Sequence, residues 1–100
     1  MDNQKILNLL GLATRARKIT LGEEFVMNKM KKPDVLVFIA TDAGANITKK
    51  IKNRAINYKV QVIDSFHSDE LSQAIGKKNR KVLLLEDKGF IKTINEYLNA

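Results

Sequence analysis

Apolar residues follow two different spacings along this chain, and the two alternate. Ile6, Leu9, Leu10 and Ala13 are separated by three or four positions or lie side by side, a spacing that places their side chains on one face of a helix. Residues 35–40 instead form an unbroken apolar run rich in β-branched side chains. A run without alternation is typical of a strand that is covered on both faces. The pattern therefore predicts a sheet that lies between two helical layers.

The whole chain divides into five predicted helices and four predicted strands in strict alternation, with a helix at each end. The strands are expected at 19–21, 35–40, 60–63 and 82–85. Gly22 opens the second helix, Asn46 or Thr48 caps the third, and the fourth begins with a cap at Ser68 and ends at Gly76. This order predicts one domain over residues 1–100, of the α/β class, folded as a three-layer α/β/α sandwich.

The helical spacing also predicts which large side chains are buried. Phe25 is expected to face inward on the second helix and Ile56 on the third. Core positions also account for Phe38, Phe90 and Tyr97, so that only Tyr58 and Phe66 are candidates for exposure. A platform of exposed rings for stacking single-stranded nucleic acid is therefore not expected.

Composition narrows the possible partners. The chain has 100 residues and no cysteine, which excludes disulfides, thiol catalysis and cysteine zinc sites. The longest apolar runs fall far short of the roughly 20 residues that span a bilayer, so no membrane partner and a cytoplasmic location are expected. With 18 Lys and Arg against 11 Asp and Glu, the net charge of +7 predicts a polyanionic partner.

Residues suited to catalysis are few. Acids follow three predicted strands, at Asp42, Asp64, Glu86 and Asp87, and on parallel neighbouring strands they would converge on Mg²⁺. The favoured alternative is that they serve as turn residues and helix caps. The chain has no glycine-rich phosphate loop, and its single His67 is expected at the surface beside a helix start. The sequence thus predicts no enzyme, no cofactor and no metal.

Basic residues cluster at three places. On the third helix they lie opposite the apolar face and are expected to be solvated: Lys49, Lys50, Lys52 and Arg54. Loops hold the other two clusters, which are Arg15, Arg17 and Lys18 before the first strand and Lys77, Lys78, Arg80 and Lys81 before the last. Cations near the N-terminus of a helix can bind phosphate groups, and Gly22 marks such an N-terminus. Loop-held cations with few exposed rings favour a structured RNA that is recognised through its backbone.

Several segments resemble a known family. They are Gly11-Leu12-Ala13, Ala16-Arg17-Lys18, Gly22-Glu23-Glu24 and Ile39-Ala40-Thr41-Asp42-Ala43. With them the chain resembles the kink-turn-binding ribosomal proteins, which include the archaeal and eukaryotic proteins seven-Ae and thirty-e. Residues 12–18 and 87–90 are typical of the bacterial YlxQ-type branch. The resemblance implies a thirty-e-like fold with a mixed four-stranded sheet. It also implies non-catalytic binding of structured RNA, ribosomal RNA included, and association with the ribosome.

The same resemblance implies where RNA is held, namely at the second helix after Gly22 and at the loop of residues 76–81. Kink-turn members read sheared G·A pairs with an Asn-Glu pair and a following Lys, where this chain has Glu24, Phe25 and Asn28. Glu24 lacks an amide donor and Phe25 lacks an acceptor, while two adjacent acids repel phosphate. We therefore predict RNA binding through phosphates instead of kink-turn readout. The alternative is a protein-interaction module on the same fold that has lost this readout.

Overall fold

Helices and strands alternate through residues 2–99, the part of the chain that the computed structural model describes. The helices are α1 (Asn3–Arg15), α2 (Glu23–Lys29), α3 (Ala45–Tyr58), α4 (Ser68–Ile75) and α5 (Lys88–Leu98). The strands are β1 (Ile19–Leu21), β2 (Val35–Ile39), β3 (Gln61–Ile63) and β4 (Val82–Glu86). The predicted order of elements is confirmed. Met1 and Ala100, included in the domain predicted over 1–100, lie outside the described residues.

The four strands form one mixed sheet in the order β1-β4-β2-β3. β4 is antiparallel to both of its neighbours, whereas β2 and β3 are parallel. Three strands therefore run in one direction and β4 runs in the other. We call the end where β1, β2 and β3 finish and β4 begins the carboxyl edge, and the opposite end the amino edge. The register pairs Ile39 with Val82 at the carboxyl edge and Val35 with Glu86 at the amino edge.

Alternate residues of β2 and β4 point to opposite faces of the sheet, as strand geometry requires. One face packs Leu36 and Phe38 against α1, α4 and α5. The other packs Val37 and Ile39 against α2 and α3. Both faces are buried, which explains the unbroken apolar run, and the predicted three-layer sandwich is confirmed. Within residues 2–99 no helix is both long and apolar enough to cross a bilayer.

The helix caps differ in part from those predicted. α4 is capped by His67, whose Nδ1 accepts the N–H of Asp69 at 3.1 Å while Glu70 accepts the N–H of His67 at 3.0 Å. Ser68 is thus the first residue of α4 and not its cap. α3 begins after Gly44 without a side-chain cap, so Asn46 and Thr48 lie inside it. The predicted end of α4 at Gly76 is confirmed by its left-handed φ of 72°.

Three predictions of burial were wrong. Phe25 is 69% exposed and Ile56 is 75% exposed. Each directly precedes or follows a buried residue, Val26 and Ala55 respectively, and neighbours in a helix point about 100° apart. Phe66, in contrast, is 1% exposed and packs against the ring of Phe38, with centroids 6.2 Å apart.

Candidate nucleic-acid interface

The carboxyl edge brings together two regions that the sequence singled out. β1 leads into Gly22, and β4 follows Lys81. Because Leu21 pairs with Leu83 in antiparallel register, the chain reaches Gly22 at the edge where β4 begins with Val82. The N–H of Ala40 donates to the carbonyl of Lys81 at 2.8 Å. The start of α2, with Gly22 and Glu24, therefore adjoins the loop of residues 76–81, which we call the basic loop.

Backbone interactions fix the shape of the basic loop. Gly76 adopts a left-handed φ that lets the chain leave α4, and Asn79 adopts another, at 56°. The N–H of Lys77 donates to the carbonyl of Ser72 at 2.9 Å. The hydroxyl of Ser72, itself 6% exposed, accepts the N–H of Arg80 at 2.8 Å. The loop is thus anchored to α4 at both of its halves.

The cations of the basic loop carry uncompensated charge. Lys77, Lys78 and Lys81 are exposed, and none of them lies within 4.0 Å of a carboxylate of residues 2–99. Arg80 is half-buried, and its Nε is buried without a hydrogen-bond partner in the part of the chain described. An anchored loop with three exposed ammonium groups carries the kind of charge that attracts a polyanion.

The lysines of α3 differ in this respect. Lys50 lies 3.7 Å from a carboxylate oxygen of Glu23, and Lys52 donates to Asp64 at 2.7 Å. Part of the charge on this helix is thus neutralised within the fold. Pairing between side chains at the surface agrees with the solvated face that the sequence predicts for α3.

The start of α2 carries acids for a structural reason. Gly22 has a φ of 95° and gives the helix no side-chain cap. Glu23 and Glu24 occupy the first turn, where negative charge complements the helix dipole. Glu23 is partly neutralised by Lys50, whereas Glu24 is exposed and forms no ion pair in residues 2–99. α2 has seven residues, and its own side chains supply the negative charge that a phosphate would otherwise bring.

The structure places Arg15, Arg17 and Lys18 away from Gly22, at the amino edge. The N–H of Glu86, at the end of β4, donates to the carbonyl of Lys18 at 2.9 Å. β1 separates Lys18 from Gly22 by about 13 Å of extended chain. All three cations are exposed, and they form a second basic patch instead of part of the carboxyl edge.

A turn at the end of α1 sets the direction of this second patch. The N–H groups of Arg17 and Lys18 donate to the carbonyls of Thr14 and Ala13 at 3.1 and 2.9 Å, the pattern of a Schellman motif. Arg17 has a φ of 60°, at the position that glycine usually occupies. A cation is therefore held at a position that favours glycine.

The four acids considered as a magnesium site do not converge, so that hypothesis was wrong. β4 runs against β2, which puts Glu86 and Asp87 at the amino edge and Asp42 and Asp64 at the carboxyl edge. The side chain of Asp87 caps α5 by accepting the N–H of Phe90 at 2.9 Å. No group of three metal-ligating side chains is found among residues 2–99.

Ion pairs and hydrogen bonds lower the pKa of two of these acids. Partial burial acts to raise the pKa of Glu86, but Lys29 at 3.2 Å and Lys32 at 3.6 Å outweigh it and the pKa lies below its usual value. The hydroxyl and N–H of Ser68 donate to Asp42 at 2.6 and 2.9 Å and lower its pKa to about 2. Asp42 thus joins the end of β2 to the start of α4.

Two residues of the interface were missed from the sequence. Ser72 adjoins the apolar Leu71 in α4, and nothing in the helical spacing marks it as the anchor of the basic loop. Asn79 was detectable in principle, because asparagine tolerates left-handed backbone better than most residues. It stands between Lys78 and Arg80 in a short turn after a helix.

Comparison with known proteins defines the class. The sequence model of the Ribosomal protein L7Ae/L30e/S12e/Gadd45 family matches residues 4–94, and the chain belongs to this family. An "RNA-binding protein YlxQ" of Enterococcus faecium is 39% identical over 100 residues, covering 99% of this chain and 96% of the relative. Another of that name, from Bacillus subtilis (strain 168), is 35% identical over 91 residues and covers 90% and 91%. The chain thus lies in the bacterial YlxQ branch of its family.

Solved structures show the same fold. A protein with unknown function from Bacillus halodurans C superposes with a TM-score of 0.88 at 35% identity, covering 96% of this chain and 98% of that one. The Giardia lamblia 15.5kD RNA binding protein superposes with a TM-score of 0.82 at 17% identity, covering 97% and 84%. The predicted family, branch and mixed-sheet fold are confirmed.

Proposed function

We propose that this chain is a small, non-catalytic protein that binds structured RNA. The observation that carries the proposal is the basic loop, in which Lys77, Lys78 and Lys81 are exposed, unpaired within residues 2–99 and fixed to α4 by backbone interactions. Both YlxQ relatives are named as RNA-binding proteins, which supports RNA as the polyanion.

The lysines of the basic loop contact phosphates in this proposal, and Arg80 adds its guanidinium from a half-buried position. Because the loop is already ordered, little conformational entropy is lost on binding. Glu24, two residues after Gly22, weakens phosphate binding near it, since its carboxylate repels phosphate. The RNA backbone therefore lies over the basic loop, while a base or sugar faces the start of α2.

The second basic patch extends this surface. Arg15, Arg17 and Lys18 lie beyond β1, which places Lys18 about 13 Å of extended chain from Gly22, and an RNA that folds across the end of the sheet reaches both the basic loop and this patch. Arginine forks bind phosphate in bidentate fashion. Structured RNA, ribosomal RNA included, presents phosphates in two such places from a backbone that is already folded, whereas a flexible single strand must be ordered to contact both. The protein would accordingly act in the cytoplasm, in association with ribosomes, without a cofactor or metal.

A charge-matched pair of variants tests the proposal. The variant Lys77→Gln, Lys78→Gln, Lys81→Gln removes the loop charges, and Lys31→Gln, Lys49→Gln, Lys92→Gln removes three exposed charges elsewhere. Binding of a structured ribosomal RNA fragment is measured by fluorescence anisotropy from low to high salt. Each lost duplex phosphate contact lowers the log–log salt slope by about 0.9, so the first variant should lose up to about 2.7 and the second much less. Equal slopes for the two variants would refute the site.

Protein binding is a second candidate function, and one surface favours it. Ile56 is exposed beside Val60 and beside Val62 of the edge strand β3, in a shallow groove between Lys52 and Lys59. An edge strand with adjacent apolar groups can pair with an extended segment of another protein. Affinity capture from lysate with and without nuclease separates the two functions. Partners that persist after digestion and are lost in Ile56→Asp support protein binding.

A further inference from the structure

Phe25 is more exposed than any other aromatic residue of the described chain. Its side chain is 69% exposed, against 43% for Tyr58. Phe25 lies in the first turn of α2, whereas Val26 of the same helix and Met30 at its C-cap are buried against the sheet. The helix is therefore firmly packed, and the exposed ring extends from a fixed base.

The ring of Phe25 lies over Gly22. A Cβ atom added to Gly22 would stand 3.3 Å from Cδ2 of Phe25, so the ring covers the point where β1 turns into α2. Gly22 follows Leu21, which pairs with Leu83 of β4, and β4 begins directly after Lys81 of the basic loop. Phe25 also has the exposed Glu24 as its neighbour. An apolar ring thus lies at the same end of the sheet as Glu24, which repels phosphate, and the basic loop, which attracts it.

We propose that Phe25 is a stacking platform for one unpaired base of the RNA that the basic loop holds. The inference rests on the proposed function and deepens it. The lysines position the sugar–phosphate backbone, Glu24 excludes phosphate from the end of α2, and the face of a base covers the ring. Stacking on an aromatic side chain accepts any base, so Phe25 selects RNA with an unpaired nucleotide next to a helix and not a particular sequence.

Two substitutions at this position separate aromatic stacking from apolar contact. Phe25→Leu keeps an apolar side chain without a ring, and Phe25→Trp keeps a ring and introduces the first tryptophan into a chain that has none. Tyr58→Leu is the matched control, since Tyr58 is an exposed aromatic residue at the end of α3. The probes are an RNA hairpin with a three-nucleotide bulge and the same hairpin fully paired.

The expected result is specific to the ring. Phe25→Leu should bind the bulged hairpin about 5- to 140-fold more weakly than wild type, with an unchanged salt slope because no phosphate contact is lost. Phe25→Trp should bind like wild type, with its fluorescence quenched by the bulged hairpin. Tyr58→Leu should bind as wild type does.

The other possible outcomes contradict either the stacking inference alone or the proposed function as well. If wild type binds the bulged hairpin with a steep salt slope and Phe25→Leu binds equally well, the stacking inference fails and the proposed function stands. The inference also fails if Phe25→Trp binds without quenching. If wild type binds neither hairpin at any salt concentration, both proposals fail.

Discussion

The hydroxyl of Ser72 accepts the backbone N–H of Arg80 at 2.8 Å and ties the basic loop to the helix that precedes it. The same hydroxyl lies 3.4 Å from the carbonyl of Arg80. One buried serine thus satisfies both backbone groups of a residue at the centre of the candidate interface. The conformation of the loop depends on this side chain, although Ser72 itself has no charge to offer RNA.

Substituting Ser72 by Ala should therefore affect both stability and binding. The N–H of Arg80 loses its acceptor, and an unsatisfied buried donor costs about 1–3 kcal/mol of the free energy of unfolding. Loosening the loop should weaken RNA binding while the charge stays the same. Urea denaturation and anisotropy titration measure the two effects. Ser65→Ala, at an exposed position, is the control, and a Ser72→Ala protein as stable as that control would contradict the anchoring role.

Arg17 allows stability and binding to be separated. Its left-handed φ of 60° costs about 1–2 kcal/mol relative to glycine, and strain of this kind is often retained at functional sites. Arg17→Gly should raise the free energy of unfolding by about 0.5–1 kcal/mol, since the greater freedom of glycine in the unfolded chain offsets part of the gain. RNA binding should weaken at the same time.

Lys59 provides the control for Arg17. It too is a cation with a left-handed φ, 56°, at the end of α3. Lys59→Gly should stabilise the protein to a similar extent and leave RNA affinity closer to that of wild type. Thermal melts and salt-dependent titrations of both variants give the comparison. Equal losses of affinity would mean that the second basic patch has no special role.

Asp42 should make the stability of the folded protein depend on pH in the acid range. The hydrogen bonds from Ser68 lower its pKa from 3.8 to about 2 in the folded protein, so the unfolded chain binds a proton more readily. The resulting stabilisation is fully present above about pH 4 and is lost as the pH falls towards 2. Ser68→Ala removes the largest cause of the shift.

Melting temperatures of wild type and Ser68→Ala from pH 2 to pH 6 measure this contribution of Asp42. The difference between the two proteins should be largest above pH 4 and should shrink as the pH falls towards 2. Glu86 titrates in both proteins and cancels in the comparison. A difference that stays constant over this range would show that the hydrogen bonds from Ser68 do not depend on the charge of Asp42.

The elements were predictable because each depends on local spacing. The apolar run at 35–40 identifies β2, and the spacing of Ile6, Leu10 and Ala13 identifies α1. Strand order was not predictable, because a run such as 82–85 shows that both faces are covered without indicating which strands lie on either side. The magnesium hypothesis failed for this reason, since it depended on Glu86 lying at the same edge as Asp42.

Other errors came from short elements. α2 has seven residues, too few for apolar spacing to decide between two adjacent positions, and Phe25 was assigned inward together with Val26. Phe66 lies in a loop between β3 and α4, where no period applies. Arg17 and Lys18 are near Gly22 in sequence, but an extended strand of three residues carries the chain from one edge of the sheet to the other. The loop position of residues 76–81 was predictable because Gly76 can end α4 and an apolar run begins at Val82.

The central position of β4 has a consequence for how the protein is made. β1 and β2 are not neighbours in the sheet, because β4 lies between them and is the last strand to leave the ribosome. Until it inserts, the start of α2 and the basic loop have nothing to hold them side by side. A nascent chain that ends before β4 therefore lacks the joined surface, and under the proposed function it would not yet bind RNA there.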